Sequence, residues 1–195
     1  FHSMLDHEVH VNKKKSPTEA FVEFVRIFWT AMCYRDFCLL AIAWTLAWII
    51  LALISTNMVL YVTYYYNKEG MSFLVVASLQ LGIALSLPVW AFIIHYLGKR
   101  KSLFLGCLVL SLFFIPFFFL QPDQFLIFFI LTPAAGCVAG CLYICLSSMQ
   151  PDCVEDYYNN TLKRHEGVLY SIFLLGGKFG SALALAISNY TLALT

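Results

Sequence analysis

The chain has 195 residues, 61% of them hydrophobic and only 12% charged, with a mean hydropathy of +0.79 and a formal net charge of +1. A soluble domain is typically about 45–50% apolar and about 25% charged, so an ordinary water-facing globule is excluded. No nucleic-acid partner is expected, because the charges lie in short clusters between apolar runs.

Residues 1–36 form a polar leader. Lys13, Lys14 and Lys15 precede a helix start at Ser16, with Pro17 at the first helical position and Glu19 three residues after the serine. Phe21, Phe24, Val25 and Phe28 follow at i, i+3, i+4 and i+7, beside Arg26 and Trp29. That stripe suits a short helix lying at a membrane interface, or one packed on the ends of the spans.

Five segments then exceed the roughly 17 residues needed to cross a bilayer core of about 30 Å. They cover about 37–66, 71–97, 102–121, 124–150 and 167–190. No pattern of short alternating segments appears, so the spans are helices and the fold class is an all-α membrane protein. Lys13, Lys14, Lys15, Arg26 and Arg35 precede span one, Lys99, Arg100 and Lys101 lie between spans two and three, and Lys163 and Arg164 between four and five. By the positive-inside rule the leader and these two loops are cytoplasmic, with Lys68 alone on the other side. The bilayer is thus the first partner, at the plasma membrane or the endoplasmic reticulum. The chain opens without Met and stops directly after span five. It is expected to be a portion of a longer protein that carries at least one further helix.

Cys137, Cys141 and Cys145 recur every four residues on one helix face with no His in that span, so they are expected to be small buried residues rather than a metal site. Close helix approach is expected at Gly136-x-x-x-Gly140, at Gly176-x-x-x-Gly180 and at Gly177-x-x-x-Ser181. Pro88, Pro116 and Pro133 give spans two to four one possible bend each.

Polar groups inside the spans point to function. Lys178 is the only Asp, Glu, Lys or Arg from Gly167 to Thr195. An ammonium near the bilayer centre costs roughly 2.5–3.5 kcal/mol on insertion scales, so it is expected to face a cavity, an acid or a ligand. Gly177 and Gly180 are expected to thin the wall around it. Asn57, Tyr61 and Tyr64 lie at i, i+4 and i+7 in span one, and Gln80 in span two either completes a polar lining or simply hydrogen-bonds across helices; Tyr64 reads equally as part of an outer aromatic belt. At the inner side, Asp152, Glu155 and Asp156, with Lys99, Arg100, Lys101 and Arg164, are candidates for a charged gate, the alternative being a solvated loop.

Several of these segments resemble the second half of a major facilitator transporter of the glycoside–pentoside–hexuronide:cation symporter group. Leu87-Pro88-Val89-Trp90 with Leu97-Gly98-Lys99-Arg100-Lys101 resembles that group's eighth span and the following loop. Met149-Gln150-Pro151-Asp152-Cys153-Val154-Glu155-Asp156-Tyr157 resembles its loop after span ten, with Gln150 in place of a leucine. Glu166-Gly167-Val168-Leu169-Tyr170-Ser171, with Lys178-Phe179 beyond, resembles the start of span eleven and its in-membrane lysine. Asn57-Met58-Val59-Leu60-Tyr61-Val62-Thr63-Tyr64 and Lys178-Phe179-Gly180-Ser181 are similar to the sodium-dependent lysophosphatidylcholine carriers within the group. Two features depart from the pattern: His95 stands where the superfamily signature has an acid, and no glutamate occurs near Ser55.

The resemblance implies that residues 37–195 are a C-terminal half, with helices seven to eleven of a fold whose N-terminal half lies outside this chain. It implies secondary-active symport by alternating access, with lysophospholipid as substrate and Lys178 meeting its phosphate or the coupling acids of the other half. No cofactor is implied, and the sodium site is expected in the absent N-terminal half. The alternatives are a sugar:cation symporter of the same group and a non-transporting half-transporter scaffold. An intramembrane enzyme is disfavoured, because no Ser–His, HExxH or paired-acid arrangement falls inside the spans.

Overall fold

The computed structural model describes residues 17–121, 124–161 and 165–193. Among these residues there are no strands. The helix start expected at Ser16, and Lys163 and Arg164 of the inner loop, lie outside them.

Helix α1 spans Pro17–Cys33 and ends where Tyr34 turns extended (φ −78°, ψ 111°). Helix α2, Arg35–Leu60, runs on through a π-turn at Tyr61–Tyr65, and a short 3-10 turn at Glu69–Met71 leads to α3, Ser72–Leu97. Helix α4, Lys99–Phe114, tightens into a 3-10 turn at Ile115–Phe119, where Pro116 stands. Helices α5, Phe125–Thr161, and α6, Glu166–Ala193, complete the bundle. Among the described residues, five helical stretches are long and apolar enough to cross a membrane: Arg35–Tyr65, Ser72–Leu97, Lys99–Phe117, Phe125–Thr161 and Glu166–Ala193. Their backbone groups bond within each helix, which is what a water-free core demands.

One expectation needs correcting. The segment from Pro151 to Tyr157, taken as a loop from its charge, continues α5 to Thr161. A proline removes one backbone donor and bends a helix without ending it when neighbouring helices hold the rest in place. Val154 and Tyr157 of this extension are buried in the main core with Phe37, Leu40 and Leu169. That packing holds the turn beyond Pro151.

Contacts stripped of side chains set the helix pairing. A Cβ at Gly136 of α5 would stand 2.2 Å from the Leu79 carbonyl oxygen of α3, and one at Gly82 would stand 2.1 Å from the Pro133 oxygen. Gly140 abuts Ser86 in the same way, with its would-be Cβ 2.3 Å from Oγ. A second seam joins α6 to α2, where Gly176 and Gly180 meet Thr45 and Gly177 meets Trp44 and Trp48. Each of the expected small-residue motifs thus lies against a neighbouring helix. The cysteine stripe turns inward: Cys141 and Cys145 are buried, Cys137 partly so, and Cys141 packs on Gly106 of α4.

Two hydrogen bonds satisfy polar side chains in the core. Thr132 Oγ1 donates to the Phe128 oxygen at 2.9 Å, and Trp90 Nε1 donates to the Cys137 oxygen at 2.8 Å, which ties α3 to α5. Between α3 and α4, Gly98 adopts φ 80° and ψ 155°, a region open essentially to glycine alone.

Gly136→Ala is expected to overpack the α3–α5 seam and destabilise the protein by about 1–3 kcal/mol, lowering its Tm in detergent. Gly167→Ala, where a Cβ meets nothing within 4 Å, is the control and should leave Tm unchanged.

Candidate functional site

Lys178 occupies the face of α6 turned away from the α2 seam. Gly177 and Gly180 are buried, whereas Lys178, one residue further and so about 100° round the helix, is exposed. The glycines therefore do not thin a wall around the ammonium, as the sequence suggested; they bring α6 onto α2 and leave the lysine on a free face. Ser181, one turn on, donates its hydroxyl to the Lys178 carbonyl oxygen at 2.9 Å.

Ser181 also lines a hollow of about 390 Å³ between α2, α3, α5 and α6. Its polar lining is Ser55, Gln80, Tyr143 and Ser181, its aromatic wall is Trp48 with Tyr143, and Leu79, Ile83 and Ala139 are among its apolar residues. Trp48 and Tyr143 meet edge to face, ring centroids 6.4 Å apart. Ser55 and Ser181 spend their hydroxyl protons on the backbone and keep oxygen lone pairs for an acceptor role. Gln80, exposed, offers both amide donors and an acceptor. Sequence reasoning missed Trp48, Tyr143 and Ser181. The available signals were the seven-residue spacing of Trp48 and Ser55, which puts them on one helix face, and the single Tyr deep in span four.

The structure does not bring Asn57 and Tyr61 to Gln80. They line a second hollow of about 510 Å³ with Met58, Phe114, Phe117 and Phe128, almost wholly apolar. Ile54 borders both hollows. The separation is geometric: Asn57 is two residues from Ser55, about 200° round α2. Tyr61 stacks on Tyr65 at 4.5 Å across the π-turn, and Tyr66 packs on Phe125 and Phe128. Lys68 sits 4.0 Å above the Phe125 ring, a cation–π contact that holds the α2–α3 turn to the start of α5. Tyr64 is exposed and lines neither hollow.

The gate candidates gather at the opposite, basic end. A hollow of about 890 Å³ there is lined by Arg35, Asp36, Lys99, Arg100, Lys101, Asp152 and Asp156 among others. Lys99 Nζ pairs with Asp152 at 2.5 Å and donates to the Ser148 oxygen at 2.9 Å, fastening the start of α4 to α5. Tyr34 Oη donates to Asp156, and Asn160 Nδ2 donates to Tyr34 Oη at 2.9 Å. The hydrogen bond to the Asp156 carboxylate, with partial desolvation, pushes the Tyr34 phenol up to about 12. Glu155 is exposed and outside this lining, and Arg164 falls outside the described residues. Among the described residues no group of three His, Cys, Asp or Glu side chains is placed to hold a metal ion.

Side-by-side membrane-length helices with a polar hollow part-way along are the architecture of a multi-pass integral membrane protein. The chain belongs to the family described as MFS/sugar transport protein, which matches residues 3–195. It is 27% identical over 120 residues to sodium-dependent lysophosphatidylcholine symporter 1-A of Danio rerio, covering 59% of this chain and 22% of the relative. It is 24% identical over 142 residues to the human sodium-dependent lysophosphatidylcholine symporter 1, covering 72% and 26%. An uncharacterized symporter of Synechocystis is 29% identical over 147 residues, covering 75% and 27%. The chain thus matches about a quarter of the length of these curated relatives. The family is one of membrane transporters rather than enzymes.

Because the folded-state phenol of Tyr34 lies above its ordinary value of 10.0, its contribution to stability is full below pH 10 and is lost as pH rises towards 12. Tyr34→Phe is expected to flatten that part of the pH–Tm profile, measured in detergent by difference from the parent protein.

Proposed function

We propose that this chain is the C-terminal half of a cation-coupled symporter that moves a lysophospholipid by alternating access. The observation that carries the reading is Lys178: a lone ammonium deep in α6, on the free face, one turn from a hollow that combines Gln80, Ser55 and Tyr143 with apolar floor residues. Relatives named sodium-dependent lysophosphatidylcholine symporters support the amphiphilic substrate and the coupling ion.

In this reading the lysine holds the substrate phosphate, and the hydrogen-bonding residues of the hollow orient the rest of the polar headgroup. In a low-dielectric cavity an ammonium attracts a phosphate or a carboxylate far more strongly than in water. The sodium site lies in the other half, and the two halves rock around a site near the bilayer midplane. The basic end faces the cytoplasm, in keeping with its excess of Lys and Arg. The Lys99–Asp152 pair joins two helices of one half, so it acts as a fastener that travels with that half. Arg100 and Lys101 remain for contacts that change between states.

A second reading is favoured by one observation. The Trp48–Tyr143 wall beside Gln80, Ser55 and Ser181 has the aromatic and hydrogen-bonding composition of a sugar site, and the family description includes sugar transport. Competition separates the two: excess lysophosphatidylcholine abolishes labelled substrate uptake under the first reading, and excess sugars do so under the second.

Lys178→Ala in the reconstituted full-length protein is expected to lower sodium-driven lysophosphatidylcholine uptake at least about tenfold, in line with the loss of one desolvated charge contact. Lys178→Arg should retain part of it. Undiminished uptake by the alanine variant would refute the role given to this residue.

A further inference from the structure

Helix α1 has an apolar face wider than the bundle covers. Phe28 and Met32 pack beside the buried Ala31 against the core cluster that contains Phe37, Tyr157 and Leu169. On the adjoining flank Val22, Val25 and Trp29 follow at i, i+3 and i+7, with Arg26 among them, and all are exposed; Val22 and Trp29 each keep 66%. An indole and two valines in line on a helix are an unusual thing to leave in water, since burying one such side chain contributes about 1.5–3 kcal/mol.

Two observations identify what covers this face. The first is depth. Ala31 shares its cluster with Phe37, in the first turn of α2, so Trp29 stands at the level where a membrane-length helix begins. The extended Tyr34 breaks the helix there, so α1 does not continue as part of the α2 span. The second is charge. Arg26 stands on the exposed face itself, and the hollow at this end of the bundle gathers Arg35, Lys99, Arg100 and Lys101 against Asp36, Asp152 and Asp156. Trp, aliphatic side chains and a cation on one face at this depth match the headgroup layer of an anionic leaflet, where the indole spans the polar–apolar boundary and basic groups meet lipid phosphates.

We propose that the Val22–Val25–Arg26–Trp29 face of α1 is a lipid-binding surface seated in the anionic headgroup layer at the basic end of the bundle. Helix α1 then touches the bundle through Ala31, Phe28 and Met32 and the leaflet through the adjoining flank that carries Trp29. This inference is independent of the substrate and of Lys178.

The test uses the full-length protein in phosphatidylcholine–phosphatidylserine vesicles whose acyl chains are brominated close to the headgroup. The emission lost on Trp29→Phe isolates the signal of this indole from the other tryptophans. That signal is expected to fall at least about twofold in brominated vesicles and to be insensitive to aqueous iodide. Strong iodide quenching would put the ring in water and overturn the proposal. Quenching by neither reagent would put the ring against protein and overturn it as well. Equal bromolipid quenching in vesicles of phosphatidylcholine alone would overturn the assignment to an anionic surface. A nitroxide on Val22→Cys, in a background whose native accessible cysteines, Cys33 and Cys107 among them, are replaced by Ser, gives a second measurement that keeps Trp29. Its collisions with oxygen should exceed those with a water-soluble nickel complex, and the reverse order would overturn the proposal.

Discussion

Backbone-to-backbone approach through glycine is the constraint on which this bundle depends. Lipid tails are as apolar as leucine, so helices in a bilayer gain little by hiding apolar surface from their solvent; they associate where van der Waals contact is closest. Gly82, Gly136 and Gly140 supply that contact between α3 and α5, and Gly176, Gly177 and Gly180 supply it between α2 and α6. At each of these glycines a Cβ would stand 3.0 Å or less from an atom of the neighbouring helix. Each seam therefore fixes both the separation of its two helices and their rotation, and rotation decides which residues point to the hollow.

The consequence for the site follows directly. With Gly177 and Gly180 held against Trp44, Trp48 and Thr45, the side chain of Lys178 has only the free face of α6 available. With Gly82 and Gly136 locking α3 to α5, Leu79, Gln80 and Ile83 line the same hollow as Ala139 and Tyr143. The hollow is thus a by-product of two glycine seams. At the basic end the fastening is polar instead: Lys99 with Asp152 joins α4 to α5, and Tyr34 with Asp156 and Asn160 joins the α1–α2 junction to the extension of α5. These groups lie where water is available, and Lys99 and Asp152 keep 35% and 61% of their side-chain exposure, so such pairs contribute about 0–1 kcal/mol each and serve geometry more than stability.

Much of this was legible in the sequence, because the signals concerned are local. Long uncharged stretches pointed to the five spans, with the far end of the fourth missed, and paired glycines marked helix contacts. What escaped was everything that depends on rotation about a helix axis set by a distant partner. Asn57, Tyr61 and Gln80 are all polar, yet the first two sit about 200° and 240° round the helix from Ser55 and fall in a different hollow. Gly177 and Gly180 flank Lys178 in the chain and point elsewhere in space. Charge misled at Pro151–Tyr157, where acids suggest a loop, because burial of Val154 and Tyr157 is a tertiary fact. Trp48 and Tyr143 look like lipid-facing aromatics until α5 is placed behind α2.

The depth of Lys178 makes its exposure meaningful. It lies 12 residues after Glu166 and 15 before Ala193, so at 1.5 Å per residue it is about 18 Å from one end of α6 and about 22 Å from the other. A lysine stem can carry its charge a few ångströms along a helix to reach a headgroup, and either end is several times further than that. Snorkelling does not solve the problem that this residue poses. Nor does a partner in its own bundle, because the described spans hold acids only near the basic end, at Asp36, Asp152, Glu155, Asp156 and Glu166. An ammonium so placed is stable only beside a polar cavity or an anion, and the polar hollow between α2, α3, α5 and α6 opens a single helical turn away, at Ser181.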